Sequence, residues 1–159
     1  MGIETERKFL VTSDDWRPLV ESSHSCRQGY FPAAGQASVR VRLIGSQSFL
    51  TIKGPRMGIS RSEFEYPIPT ADAQILLEEF CHNQLIEKTR HIITLNGFTW
   101  EIDEFEGPNK GLILAEVELQ SPDQNFPLPP WVGKEVSEDE RYFNSRLAHH
   151  PVSQWTARS

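Results

Sequence analysis

The chain has 159 residues, 38% of them hydrophobic and 24% charged, which is enough to bury a core, and no apolar run approaches the length of a membrane span. Its net charge of −6 disfavours a general nucleic-acid or anionic-membrane binder, so any polyanion would need a local basic site. Two cysteines, Cys26 and Cys81, lack metal-site spacing and read as small buried hydrophobes; with the charged opening residues, which carry no secretory signal, they point to the cytoplasm.

The first predicted element is IETERKFLV, where Glu4, Glu6 and Lys8 stand at every second position. In a strand they share one face, because successive side chains alternate. A short helical turn follows near Ser13 and is expected to break at Pro18. In CRQGYF, Gln28 and Tyr30 share a face that suits either a core or a tunnel mouth. A PAAG turn then leads to VRVRL, with Arg40 and Arg42 opposite Val39 and Val41, and to FLTIK, with Thr51 and Lys53 in step. GPRMG separates these from SEFEYPI, where Glu63 and Glu65 oppose Phe64 and Tyr66.

Residues 70–82 carry helical spacing behind a possible N-cap at Thr70. EKTRHII places Lys88 and Arg90 in step, an Asn96–Gly97 hairpin turn follows, and TWEIDEF sets Glu101 and Asp103 opposite Trp100 and Ile102. EGPNKG precedes AEVEL, with Glu116 and Glu118 in step. LPPW, residues 128–131, is an extended loop, and residues 137–149 read as one helix with a Ser137/Glu140 capping box. The tryptophans suit packing, and the histidines are isolated or sit at a helix end. Nothing marks a second domain, so residues 1–159 are expected to fold as one.

A face carrying six Lys/Arg groups and eight acids admits two readings. It can be the solvated side of an antiparallel sheet. Alternatively the strands curl into a barrel that turns this face inward and has helices packed outside, which also removes the exposed sheet edges. In the barrel, convergent cations suggest a polyanion. Convergent carboxylates suggest a hard divalent cation, Mg²⁺ or Mn²⁺.

These residues resemble the CYTH superfamily, the triphosphate tunnel metalloenzymes. Glu4-x-Glu6-x-Lys8 matches its ExExK signature. Arg40-x-Arg42, Lys53, Ser60 to Glu63, Glu87 to Arg90, Glu101-x-Asp103 and Glu116-x-Glu118 follow in order. The tail from Trp131 to Ala148 resembles the short bacterial members. The resemblance implies an α+β fold with an antiparallel eight-stranded barrel, and hydrolysis of a small triphosphate, typically inorganic tripolyphosphate, with Mg²⁺ or Mn²⁺. It implies metal ligation by Glu4, Glu6, Glu116, Glu118 and Asp103, with Asp103 and Glu63 alternatively supporting the basic residues. It implies phosphate contacts from Lys8, Arg40, Arg42, Lys53, Lys88 and Arg90, and a catalytic set of Lys8, Lys88 and Glu63, with Lys88 available to position the attacking water. No nucleic-acid or membrane partner is expected, and the oligomeric state is not legible. A nucleotide-directed member of the same fold is the alternative, such as a class IV adenylate cyclase, a thiamine triphosphatase or a nucleoside triphosphatase. A non-catalytic polyphosphate-binding module is another. No Walker motif occurs, and no Ser–His or Cys–His pair is visible from spacing.

Overall fold

The computed structural model describes residues 2–32, 36–81 and 84–155. Among the described residues nine strands run in chain order: β1 (Ile3–Val11), β2 (Ser22–Tyr30), β3 (Ser38–Ile44), β4 (Gln47–Lys53), β5 (Ser60–Pro67), β6 (Leu85–Leu95), β7 (Phe98–Phe105), β8 (Ile113–Glu118) and β9 (Val132–Glu135). All pairings are antiparallel, in the order β5-β4-β3-β2-β6-β7-β8-β1-β9. A further pairing of Ile3–Thr5 with Ser60–Ser62 joins β1 to β5 and closes eight strands into a barrel. β9 adds to β1 further along, at Phe9 and Val11.

The turns follow the sequence chemistry. Asn96 (φ 53°) and Gly97 (φ 80°) both take positive φ, as a two-residue hairpin turn demands. The PAAG turn runs into residues 33–35, and the predicted end of the first helix at His82 also lies outside the described residues.

Because the barrel turns its ionic positions inward, most of the apolar packing lies outside the wall. Phe9, Trp16, Trp100 and Trp131 form one cluster over β1, β6, β7 and β8. Helix α1 (Thr70–Phe80) covers β2, β3 and β4 through Ala73 and Leu77. Gly29 permits this approach: a Cβ there would lie 2.6 Å from the Cys81 Cβ and 2.9 Å from Leu77. The outer face of β5 is left bare, with Phe64 and Tyr66 exposed, so the expected apolar cover is incomplete there.

A third cluster lies inside the barrel. Leu10, Ile86, Phe105 and Leu114 continue the inward positions of Lys8, Lys88, Asp103 and Glu116, and they pack with Val136 and with Leu147 of helix α2 (Asn144–His149). One end of the barrel is therefore plugged by apolar side chains, and the ionic interior is a cup.

Three local expectations are corrected. Residues 137–149 form a 3-10 turn at Glu140–Tyr142 and then the six-residue α2. Ser137 is drawn away from capping, since its Oγ accepts the Lys8 backbone N–H at 2.9 Å; Asp139 caps the turn through the Arg141 N–H. Helix α1 is capped at Pro69 with no side-chain bond, while Thr70 Oγ1 lies 3.1 Å from Ser48 Oγ. Pro18 sits within a 3-10 turn, Arg17–Leu19, at an early position where its missing N–H costs nothing.

Candidate active site

Strand register brings the alternating charges together. Across β1 and β8, Glu6 pairs with Glu118 and Lys8 with Glu116. Across β4 and β5, Lys53 pairs with Glu63; across β6 and β7, Arg90 pairs with Asp103. Partners in register share a face, so one inward face collects side chains from all these strands. They line a cavity of about 280 Å³. Glu4, Glu6 and Lys8 reach it from β1, Arg40 and Arg42 from β3, Lys53 from β4 and Glu63 from β5. Lys88 and Arg90 enter from β6, and Glu116 and Glu118 from β8.

Asp103 lies behind this lining, fully buried. Its carboxylate accepts from Lys88 Nζ at 2.7 Å and from Arg90 Nε and Nη2 at 2.8 and 2.9 Å. Of its two expected roles, this geometry is that of a counter-ion for the basic residues. Burial and the Arg90 charge act on it in opposite directions, and the two cations win, holding the Asp103 carboxyl far below the usual range. Burial pulls the Lys88 ammonium down to about 8, with Asp103 opposing and Arg90 adding to the fall.

Other cations are paired more loosely. Lys53 Nζ lies 2.8 Å from Glu4 and 3.5 Å from Glu63. Arg40 Nη2 donates to Thr51 Oγ1 at 3.2 Å and to Glu65 at 3.4 Å. Lys8 Nζ donates to the Tyr142 carbonyl at 3.1 Å. Among the described residues, Lys8 and Arg42 make no ion pair.

The acids meet in pairs. Burial, Glu116 and Glu4 together push the Glu6 carboxyl well above its ordinary value. Glu116, which burial alone would raise, is pulled down by Lys8 and by its hydrogen bond to Glu6. Glu63 is raised by burial and by Glu4, to which it is hydrogen-bonded; Glu4 is lowered because Lys53 outweighs its burial. Each pair thus sets two acidic groups side by side in a buried place, where a hard cation would relieve like-charge repulsion. The all-oxygen donor set fits Mg²⁺ or Mn²⁺. Among the described residues no three acids or imidazoles converge into a ready-made metal group, so the fit is one of charge and ligand type.

Several residues around the cavity had no assigned role. Glu65 was visible in the alternation, but its link to Arg40 depends on register. Arg61 faces inward on β5, with its Nε 3.0 Å from the Gly54 carbonyl. Arg56, in the β4–β5 loop, stacks on Phe143 with 4.1 Å to the ring centroid. Asn144 Oδ1 accepts from Lys88 Nζ at 2.9 Å. No periodic signal marks Arg56, Phe143 or Asn144, because they lie outside the strands. Spacing also hid a Ser23–His91–Glu104 chain (2.7 and 3.1 Å) on outward positions of β2, β6 and β7, away from the cup.

A closed antiparallel β-barrel that gathers Lys, Arg and Glu side chains into an interior cup, with most of its hydrophobes outside the wall, is the class of protein that the fold and site define. The chain matches the CYTH domain over residues 2–149 and belongs to that family, which implies dependence on a divalent metal. It is 46% identical over 153 residues to the inorganic triphosphatase of Acetivibrio thermocellus, covering 95% of this chain and 96% of that protein. The inorganic triphosphatase of Nitrosomonas europaea is 38% identical over 149 residues, covering 91% and 96% respectively. A crystal structure of an inorganic triphosphatase aligns with a TM-score of 0.66 at 35% identity, over 92% of this chain and 94% of that one. Among the described residues no helix is long and apolar enough to cross a membrane.

Proposed function

We propose that the protein hydrolyses inorganic tripolyphosphate to pyrophosphate and phosphate with Mg²⁺ or Mn²⁺, as one tunnel domain spanning residues 1–159 and acting in the cytoplasm. The observation that carries the reading is the cup itself, a cavity of about 280 Å³ into which cations from β1, β3, β4 and β6 converge beside paired carboxyl groups. The names of the relatives support the same reading.

Phosphoryl transfer needs a phosphate chain held in line, its charge neutralised and a water positioned. Arg40, Arg42 and Arg90 offer planar forks to phosphate oxygens, while Lys8 and Lys53 act as point charges. Lys88 Nζ, drawn down to about 8 by burial and held by Asp103 and Asn144 at the edge of the cavity, has hydrogen-bonding capacity left to position the attacking water. Glu63, raised and hydrogen-bonded to Glu4, offers a proton-holding site. Glu4, Glu6, Glu116 and Glu118 would hold the metal, which when bound neutralises charge developing on the phosphate oxygens.

The test is phosphate release from tripolyphosphate and from ATP, side by side, with Mg²⁺, with Mn²⁺ and with EDTA. Metal-dependent release from tripolyphosphate, with kcat/KM at least about tenfold above ATP, is expected, equivalent to about 1.4 kcal/mol. Equal efficiency on ATP, or cyclic AMP as product, would overturn the substrate assignment in favour of a nucleotide-directed enzyme.

A further inference from the structure

Gln28 is fully buried, an unusual place for a long polar amide. It projects inward from β2 in register with Arg42 on β3. Its Oε1 accepts from Arg42 Nε at 2.8 Å and from the Cys26 thiol at 3.3 Å. Its Nε2 donates to Tyr30 Oη at 2.8 Å and to Asn144 Oδ1 at 3.4 Å. The amide orientation is forced, since a guanidinium has only donors and must meet the oxygen.

Arg42 differs from its neighbours in its partner. Arg40 has Glu65, Lys53 has Glu4, and Lys88 and Arg90 share Asp103. Arg42 has a neutral amide and, among the described residues, no carboxylate at ion-pair distance. Its enclosure and the nearby charges of Arg40 and Arg90 disfavour its cationic form, so the site is short of negative charge. A neutral acceptor fixes the direction of the fork without cancelling its charge.

We propose that Gln28 is a positioning residue for substrate: its amide oxygen aims the Arg42 guanidinium into the cup and leaves that charge free for a phosphate, while its amide nitrogen anchors the arrangement to Asn144. The inference rests on the triphosphatase reading and adds to it a residue that touches neither phosphate nor metal. A carboxylate at position 28 would satisfy Arg42 internally and compete with the substrate.

The experiment is calorimetric titration of the full-length protein with sodium tripolyphosphate in EDTA, which reads binding without turnover, paired with steady-state kinetics in Mg²⁺. Gln28→Glu should weaken binding about tenfold or more, with the loss appearing in KM more than in kcat. Gln28→Asn keeps the amide and shortens its reach, so it should weaken binding about threefold and cost nothing further in an Arg42→Ala background. Should Gln28→Glu fail to melt cooperatively, the Gln28→Asn cycle decides. Affinity within about twofold of wild type for a folded Gln28→Glu, or an equal cost of Gln28→Asn with and without Arg42, would overturn the proposal. Wild-type protein that neither binds nor hydrolyses tripolyphosphate would overturn the triphosphatase reading and this inference with it. Wild-type turnover beside an indifferent Gln28→Glu would overturn the inference alone.

Discussion

Replacing Asp103 with asparagine keeps its shape and removes one negative charge from a place where three charge-assisted bonds converge, at 2.7, 2.8 and 2.9 Å. Removing one partner of a buried ion pair typically costs about 3–5 kcal/mol, because the remaining charge stays buried. Two features place the expected loss at about 3 kcal/mol, the lower end of that range. Lys88 can shed its proton, and Arg90 keeps Glu101 at 3.3 Å. Urea unfolding at pH 7, followed by tryptophan fluorescence, measures the loss directly. Without Asp103 the Lys88 pKa falls below its present value of about 8, since Asp103 is the larger of the influences that raise it. The alkaline limb of any Lys88-dependent rate profile should shift to lower pH. If Asp103 were a metal ligand instead, stability would hold and excess Mg²⁺ would restore turnover. Stability within about 0.5 kcal/mol of wild type, with activity rescued by Mg²⁺, would refute the counter-ion role.

Glu6→Gln removes a carboxyl whose ionisation is opposed by burial, Glu116 and Glu4, so the variant should melt at the same temperature or higher while hydrolysis collapses; full activity at saturating Mg²⁺ would sink Glu6 as a ligand. Arg40→Ala and Arg42→Ala should each weaken tripolyphosphate binding by about 2–3 kcal/mol in calorimetry with Ca²⁺ replacing Mg²⁺, and wild-type affinity in both would argue against phosphate contact by this strand. Lys88 also predicts a pH effect on stability. Its folded pKa of about 8 lies below the ordinary 10.5, so between those values the unfolded chain binds more protons and stability rises with pH. That interval corresponds to about 3 kcal/mol, and a Lys88→Met variant should lose this component of the rise in urea titrations from pH 8 to 10.5.

The strands were legible because strand periodicity and charge agreed. Glu4/Glu6/Lys8, Arg40/Arg42, Lys88/Arg90 and Glu116/Glu118 each mark one face within a few residues, and that face becomes the cup. β2 was harder. Its inward residues Cys26, Gln28 and Tyr30 are neutral, so alternation could not tell interior from core. The partner of each charge was also out of reach, since Asp103 meets Lys88 and Arg90 only through the β6–β7 register. The C-terminal segment misled because its helical spacing is real but its start is claimed elsewhere. Ser137 is taken by the Lys8 backbone, and the chain is extended at Asp139 (ψ 104°) and Phe143 (ψ 134°), so the α-helix is confined to Asn144–His149. Leu10, Ile86, Phe105 and Leu114 resembled ordinary strand hydrophobes, and nothing local reveals that they plug one end of the barrel.

The seam of the barrel has a consequence for how the molecule is made. β1 meets β8 and β9, and Lys8 bonds both Ser137 and the Tyr142 carbonyl, across 129 and 134 residues. Closure of the eight-stranded wall therefore waits for β8, which ends at Glu118, and the segment packed at its plugged end is tied to β1 only once Ser137 and Tyr142 have followed. Such long loops slow folding, because the entropy of closure is lost before the contacts form. Until then the inward charges remain hydrated and the apolar outer face has no complete wall to cover, so the nascent chain is at its most aggregation-prone just before it becomes competent. Fragments that stop before Tyr142 should therefore leave the plugged end of the cup incomplete, even though they contain every charged residue that lines it.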